Sequence, residues 1–321
     1  MRKEKMIDKI IEAINEGQSF LITSHIRLDG DALGSELALF LALSDLGKKA
    51  VIYNQDDTPK NYCFLPAAQK IVHQLGDVKQ YDAALVLDCS ELERVGNKAT
   101  EIAKISKIIN IDHHVSNGGF SPLKILDAQA SSTGELLYRL LKQMHCNMTQ
   151  DICTNLYAAI LTDTGGFHYS NTRKDTLWAA GNLVESGADP QWISENIYES
   201  DSPAKLKLLA KVLETLSLDL KNKIGSLVVT QNALRDTGAS LEHSEGLVDI
   251  PRTVKEISIS ILYTQLADDY FKLSLRSKGS VNVEKIAKKF GGGGHINAAA
   301  CKIKGDIDTI KLQILQAIKG I

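Results

Sequence analysis

Apolar positions set the first expectations for this chain. Ile7, Ile10, Ile11 and Ile14 recur at helical steps, predicting an amphipathic helix that ends near Gly17. The unbroken run Phe20-Leu21-Ile22-Thr23 predicts a short buried strand. Residues 33–46 then repeat with a 3.6-residue period, a helix facing a sheet and closed by Gly47. Further apolar runs at 50–53, 83–87 and 107–111 predict three more strands. Short apolar strands alternating with helices predict a parallel sheet with helices on its faces. Ligands of such sheets bind beyond the carboxyl ends of the strands. At that end the first, third and fourth runs lead into acid- or histidine-bearing turns: His25-Ile26-Arg27-Leu28-Asp29-Gly30-Asp31, Asp88-Cys89-Ser90 and Asp112-His113-His114.

After Pro122 the pattern becomes helical. Ser131-Ser132-Thr133-Gly134-Glu135 reads as a capped helix start, with Leu136, Leu137, Leu140 and Leu141 as the apolar face. A helix over 149–161 opens into Thr162-Asp163-Thr164-Gly165-Gly166, and two more follow at 176–185 and 190–198. Residues 203–218 are expected as a charged connector helix. From Gly225 a new unit starts: strands at 226–229, 257–262 and 270–275, a helix at 283–290, the run Gly291-Gly292-Gly293-Gly294-His295, a strand at 301–303 and a final helix at 307–318. The expected architecture is α/β throughout. A parallel-sheet domain over 1–200 with flanking helices is followed by a linker helix over 201–221 and a smaller α/β domain over 222–321.

Composition narrows the function. With 321 residues and 44% hydrophobic content, two cores are within reach. Lys+Arg 37 against Asp+Glu 39 leaves a net charge of -2, which speaks against tracking along long nucleic acid but permits a local phosphate pocket. Five scattered cysteines without a CxxC pair read as reduced thiols of a cytoplasmic protein. The mixed-charge start at Met1 shows no signal-peptide core, and no apolar run of about 18 residues predicts a membrane span.

The polar turns carry the candidate chemistry, each beside a blander reading. His25-x3-Asp29-Gly30-Asp31 can aim His25 and Asp29 at one cation and Asp31 at a neighbour, with Gly30 permitting a chain reversal. An ordinary Asp-Gly turn is the alternative. Asp88 taken alone is an unremarked strand-end carboxylate, and Asp163 a helix-end turn residue. The adjacent histidines of Asp112-His113-His114 are less easily dismissed as a solvated pair. Together, four carboxylates with one or two imidazoles favour Mn2+ or Mg2+ over a thiolate-rich structural zinc site. Two such cations about 3.5–4 Å apart stabilise in-line attack on phosphorus, so hydrolysis of a phosphoester or phosphoanhydride is the expected reaction class.

These motifs resemble, in order and over nearly the whole chain, those of the DHH phosphoesterase superfamily, named for a motif that here is Asp112-His113-His114. Thr162-Asp163-Thr164-Gly165 matches its fourth motif, and Leu275-Arg276-Ser277 with Gly291–His295 resembles the DHH-associated substrate domain. The resemblance implies that His25 and Asp29 hold one Mn2+ and Asp31 and His113 the second. Asp88 would bridge them and Asp163 complete the site, with Mg2+ or Co2+ as substitutes. It implies that His114 contacts the scissile phosphate, that Asp112 orients the histidines, and that Arg276, Ser277, Gly292, Gly293, Gly294 and His295 bind the substrate's phosphate end.

Within the superfamily, the short two-domain plan is most similar to NrnA-type oligoribonucleases and 3'-phosphoadenosine-5'-phosphate (pAp) phosphatases. The implied activity is Mn2+-dependent hydrolysis of short RNA or DNA oligonucleotides (nanoRNA) to nucleoside 5'-monophosphates, together with pAp. Long duplex nucleic acid and membranes are not expected partners, and a homodimer is a candidate assembly. Alternatives are a cyclic or linear dinucleotide phosphodiesterase, an inorganic pyrophosphatase and, in another class, a nucleotide-sensing module without turnover. Arg27-Leu28 departs from the family's usual Asn-Pro. Arg94, in Glu93-Arg94-Val95-Gly96, reads as a surface charge in preference to a rim contact, and Trp178 and Trp192 read as core residues.

Overall fold

A computed structural model describes residues 2–319; Met1, Gly320 and Ile321 lie outside it. The chain divides into two compact units, Met1–Ser200 and Asp201–Ile321. The first contains α1 (Arg2–Glu16), β1 (Ser19–Thr23), α2 (Gly30–Asp45), β2 (Lys49–Tyr53), β3 (Ile71–Val72), β4 (Ala83–Leu87), α3 (Ala99–Ile102), β5 (Ile108–Asp112), β6 (Leu123–Leu126), α4 (Thr133–Gln143), α5 (Gln150–Asp163), α6 (Lys174–Glu185) and α7 (Pro190–Tyr198).

Its sheet runs in the order β3-β2-β1-β4-β5-β6 with every pairing parallel. The order reverses between β1 and β4, the switch point where a doubly wound sheet leaves a crevice at its carboxyl edge. Side chains alternate across the sheet as pleating requires. Phe20, Ile22, Leu85 and Leu87 enter the large core under α1, α2, α4 and α5, while Leu21, Ala84 and Val86 enter a smaller one with Val95 and Ile102. Helix α2 is packed between sheet and α5, so its apolar residues wrap most of its circumference.

The second unit contains α8 (Pro203–Leu213), β7 (Ser217–Asp219), β8 (Ile224–Val229), α9 (Gln231–Thr237), β9 (Ile259–Ala267), β10 (Tyr270–Ser277), α10 (Val283–Lys289), β11 (Gly293–His295), β12 (Ala298–Lys304) and α11 (Ile307–Lys319). Its sheet order is β11-β12-β10-β9-β8-β7, with only the β8–β9 pair parallel. One face is covered by α10 and α11, the other by α8 and the turns around Leu247 and Val248.

Several expectations change. The connector helix stops at Leu213, because Leu216 and Leu218 belong to a turn and an edge strand. It is not a free linker: Leu208 and Val212 are fully buried against Leu227, Val229 and Leu262 of its own unit. Trp178 and Trp192 are 67% and 43% exposed, so neither is a core residue; Trp192 stands edge-on to Phe64 at 5.0 Å. The glycine run leads into β11, paired with β12. Among the described residues, no helix is long and apolar enough to cross a membrane.

Candidate metal centre

Strand register brings the polar turns level. Thr23 pairs with Val86, so His25 and Asp88, each two residues further on, emerge side by side, with His25 Nε2 3.1 Å from Asp88 Oδ2. Leu87 pairs with Ile111, which sets Asp88 beside Asp112 and delivers His113 to the same edge. Ser24 Oγ ties the two strand ends together by donating to the Leu87 carbonyl at 2.9 Å. Asp88 has a positive φ of 54°, an unusual backbone state for a non-glycine residue and one that collects at functional sites.

Asp88 faces two donor groups at once. Its Oδ2 meets His25, whose Nε2 is also 3.7 Å from Asp29 Oδ2. Its Oδ1 lies 3.6 Å from His113 Nε2, and that nitrogen is 3.7 Å from Asp31 Oδ2 and 3.5 Å from Asp163 Oδ2. The sets His25/Asp29/Asp88 and Asp31/His113/Asp163 each gather ligand atoms within 4.8 Å of one another.

Neighbouring elements hold these groups in place. Asp29 caps α2 by accepting from Ala32 N–H through Oδ1, leaving Oδ2 toward His25. Asp31 is buried at the N-terminus of α4, accepting from Thr133 N–H (2.7 Å) and Gly134 N–H (2.9 Å), where amides and helix dipole favour an anion. Thr133 Oγ1 donates to Asp88 Oδ1 at 3.0 Å. Asn171 Nδ2 secures the end of α5 by donating to the Asp163 carbonyl. Gly30 is the first residue of α2 and makes no chain reversal. A side chain there would strike Thr162 of α5, with Cβ 2.4 Å from Oγ1, while the positive φ of the turn falls on Arg27.

Electrostatics fits a cation site. Burial, with the charge of Asp88, raises the carboxyls of Asp29 and Asp31. Burial against Asp88 and Asp29 pushes Asp163 up to about 6, although His113 opposes it. Burial works against charge on His25, yet the Asp88 hydrogen bond and the Asp29 charge bring it to about 9. Crowded carboxylates of this kind, Asp31 and Asp88 buried and Asp29 exposed at the rim, are relieved by divalent cations, which oxygen donors with some imidazole suit. His25 Nδ1 lies 2.9 Å from the Ile26 carbonyl, which keeps a proton on Nδ1 and aims Nε2, 3.1 Å from Asp88 Oδ2, at the site, where a bound cation would replace the proton it shares with Asp88.

His114 differs from its neighbour. Its Nδ1 is 2.7 Å from Asp112 Oδ1, and Asp112 also accepts from Asn117 Nδ2 at 2.6 Å. Burial works against the Asp112 carboxylate, but these bonds hold it below its usual range, and Asp112 in turn raises His114. With Nδ1 bound as a donor to Asp112, the ring nitrogen left to act is Nε2.

Both units match known sequence families. Residues 19–161 match the DHH family, N-terminal domain, and residues 224–320 the DHHA1 domain. The bifunctional oligoribonuclease and PAP phosphatase NrnA of Thermus thermophilus is 31% identical over 318 residues, 99% of this chain and 94% of that protein. The chain belongs to the DHH family. The Bacillus subtilis protein of the same name is 26% identical, covering 93% of each chain. A crystal structure of an exopolyphosphatase-related protein from Bacteroides fragilis superposes with a TM-score of 0.90 at 26% identity, covering 99% of this chain and 96% of that one. The protein is a DHH/DHHA1 phosphoesterase, and the DHH family is metal-dependent.

In the DHHA1 domain, Arg276 and His295 both pair with Ala298, from opposite sides, so they share one face of the sheet. Two strand spacings separate them, about 9.5 Å. Gly292 and Gly294 leave β12 no room for side chains, since Cβ atoms there would lie 2.2 Å from the Ala300 carbonyl and 2.4 Å from the Ala298 carbonyl. Gly293 faces open space. Ser277 is turned to the other face: it is buried, donating to the Val281 carbonyl and accepting from Asn297.

The motifs of the DHH domain left some contributors unmarked. Thr133 looked only like part of a capped helix start, and Asn117 and Asn171 carried no local pattern. Glu36, on the buried side of α2, accepts from Asn54 Nδ2 at 2.8 Å, while Glu36 Oε1 and Asn54 Oδ1 have no partner among the described residues. Burial pushes this carboxyl from 4.5 up to about 8, partly opposed by the Asn54 bond. In metal-free protein the folded state therefore keeps a proton the unfolded chain has lost, and stability falls as pH rises from 4.5 toward 8. Glu36→Gln should match the parent near pH 4.5 and gain on it by about 1.4 kcal/mol per pH unit above that. Thermal unfolding with chelator present, at pH 5 and pH 8, checks this; an unchanged difference between the two would sink it.

Proposed function

We propose that this DHH phosphoesterase uses two Mn2+ ions to hydrolyse short oligonucleotides to nucleoside 5'-monophosphates, and pAp to its monophosphate. The observation that carries the reading is buried Asp88, one oxygen toward each of two His/Asp sets at the carboxyl edge of the sheet. The full-length similarity to NrnA proteins supports the substrate class. His25, Asp29 and Asp88 would hold one ion, and Asp31, His113, Asp163 and Asp88 the other; Mg2+ and Co2+ suit the same donors. Bound there, the ions supply an acidified water and neutralise charge on the phosphoryl oxygens.

The chain's own groups do the rest. His25 aims Nε2 at the site by donating Nδ1–H to a backbone carbonyl. Thr133 and the α4 amides fix Asp88 and Asp31. His114, oriented by Asp112, donates from Nε2 to the scissile phosphate as charge builds on its oxygens. Arg276 and His295, with the amides about Gly293, bind another phosphate of the substrate. Arg offers that anion a planar fork.

Metal removal tests the reading. Protein stripped by chelator should hydrolyse no dinucleotide, and adding Mn2+ back should restore the rate with saturation at two ions per chain. Full activity in chelator, or saturation at one ion, contradicts it. Arg276→Ala should raise KM about tenfold or more with kcat little changed, as loss of a charged hydrogen bond requires. Unchanged dinucleotide kinetics would remove Arg276 from the substrate site.

A further inference from the structure

Arg94 does not behave as a surface charge. It lies in a short 3-10 turn, Leu92–Val95, beginning four residues after Asp88. Ile26 N–H, between His25 and Asp29, donates to the Arg94 carbonyl at 2.8 Å. Asn97 N–H donates to Gln55 Oε1 at 2.8 Å, and Val95 is buried in the smaller core. The following Gly96 has a φ of 97°, and a Cβ on it would lie 2.3 Å from Gln55 Oε1 and 2.9 Å from Ile26 Cγ2. The turn is therefore pinned on three sides against the segment that carries His25 and Asp29.

This rigid turn carries a half-buried arginine whose guanidinium has no hydrogen bond or ion pair among the described residues. Arg139, by contrast, is paired with Glu135 and Asp127, and Arg252 with Asp249. The backbone contact of Arg94 to Ile26 sets it beside the His25–Asp29 segment, and its charge reaches His114 and Cys89. A half-buried arginine without a partner among the described residues, on a turn bonded to the segment between His25 and Asp29, fits an anion that arrives with its own oxygens.

We propose that Arg94 is a phosphate-binding residue of the DHH domain, donating to non-bridging oxygens of the phosphoryl group that His114 meets. This deepens the phosphoesterase reading and rests on it. The ligand class is a phosphate mono- or diester, and inorganic phosphate is the simplest probe. Arg94 thus adds a cationic contact on the DHH domain to those of Arg276 and His295 on the DHHA1 domain. The scissile group would meet Arg94 and His114 whichever nucleotide carries it.

Calorimetry on the full-length, Mn2+-loaded protein tests the assignment, using parent, Arg94→Gln and Arg94→Lys. Arg94→Gln should weaken inorganic phosphate binding about ten- to a hundredfold. Its Mn2+ affinity and melting temperature should stay at the parent's values. Arg94→Lys should recover part of the loss, keeping the charge but not the fork. Parent-like phosphate affinity in Arg94→Gln overturns the assignment, as does a parallel loss of Mn2+, or a parent protein that binds no phosphate. Phosphate binding needs no turnover, so a protein that binds phosphate through Arg94 yet cleaves no nucleotide would refute the substrate reading and leave this one standing.

Discussion

Asp88→Asn should abolish hydrolysis, lowering the rate by about a thousandfold or more, while the protein stays folded. Asp88 alone reaches both donor sets, Oδ2 toward His25 and Oδ1 toward His113. An amide keeps its shape but turns one of the two acceptors into a donor, aimed where a cation should sit. The fold should tolerate the change, because Asn accepts the positive φ of 54° at this position and the like-charge crowding around Asp31 and Asp29 falls. Metal analysis after dialysis should show fewer than two Mn2+ per chain, and the melting temperature should not drop. Parent-like turnover by this variant would end the account of Asp88 as the shared carboxylate.

His114→Gln should lower kcat by about 10²–10⁴-fold and leave Mn2+ binding intact. The distinction matters because Asp88, His113 and His114 also lie close enough to be read as a metal-binding trio. The atom of His114 nearest Asp88 is Nδ1 at 3.4 Å, and that atom is bonded to Asp112 at 2.7 Å. With Nδ1 engaged by Asp112, Nε2 is the nitrogen left to face the site, and the proposed role for it is a phosphate contact. Comparing kcat with bound Mn2+ separates the cases: loss of metal in step with activity would make His114 a ligand instead.

Much of this was legible in the sequence because the site sits at strand ends. The apolar runs at 20–23, 83–87 and 107–111 show as β1, β4 and β5, and parallel register does the work of bringing His25, Asp88 and His113 together. Strand β6 stayed hidden because it is an edge strand whose residues are all half-buried, which leaves no alternation to read. Strand β3 is two residues long. Thr133, Asn117 and Asn171 escaped for a different reason: each acts through a contact with residues distant in sequence, and no local spacing encodes that. Ser277 shows the reverse error, since its motif placed it with Arg276 while strand pleating turned it to the opposite face.

The central claim is that this phosphoesterase acts on short nucleotide chains. Its most direct test is one assay of labelled di- to pentanucleotides, pAp, cyclic dinucleotides, pyrophosphate and polyphosphate, each with Mn2+ and with chelator. The account predicts 5'-monophosphates from the shortest chains and hydrolysis of pAp, both only with Mn2+. Turnover confined to cyclic dinucleotides, pyrophosphate or polyphosphate, or turnover that persists in chelator, would contradict it.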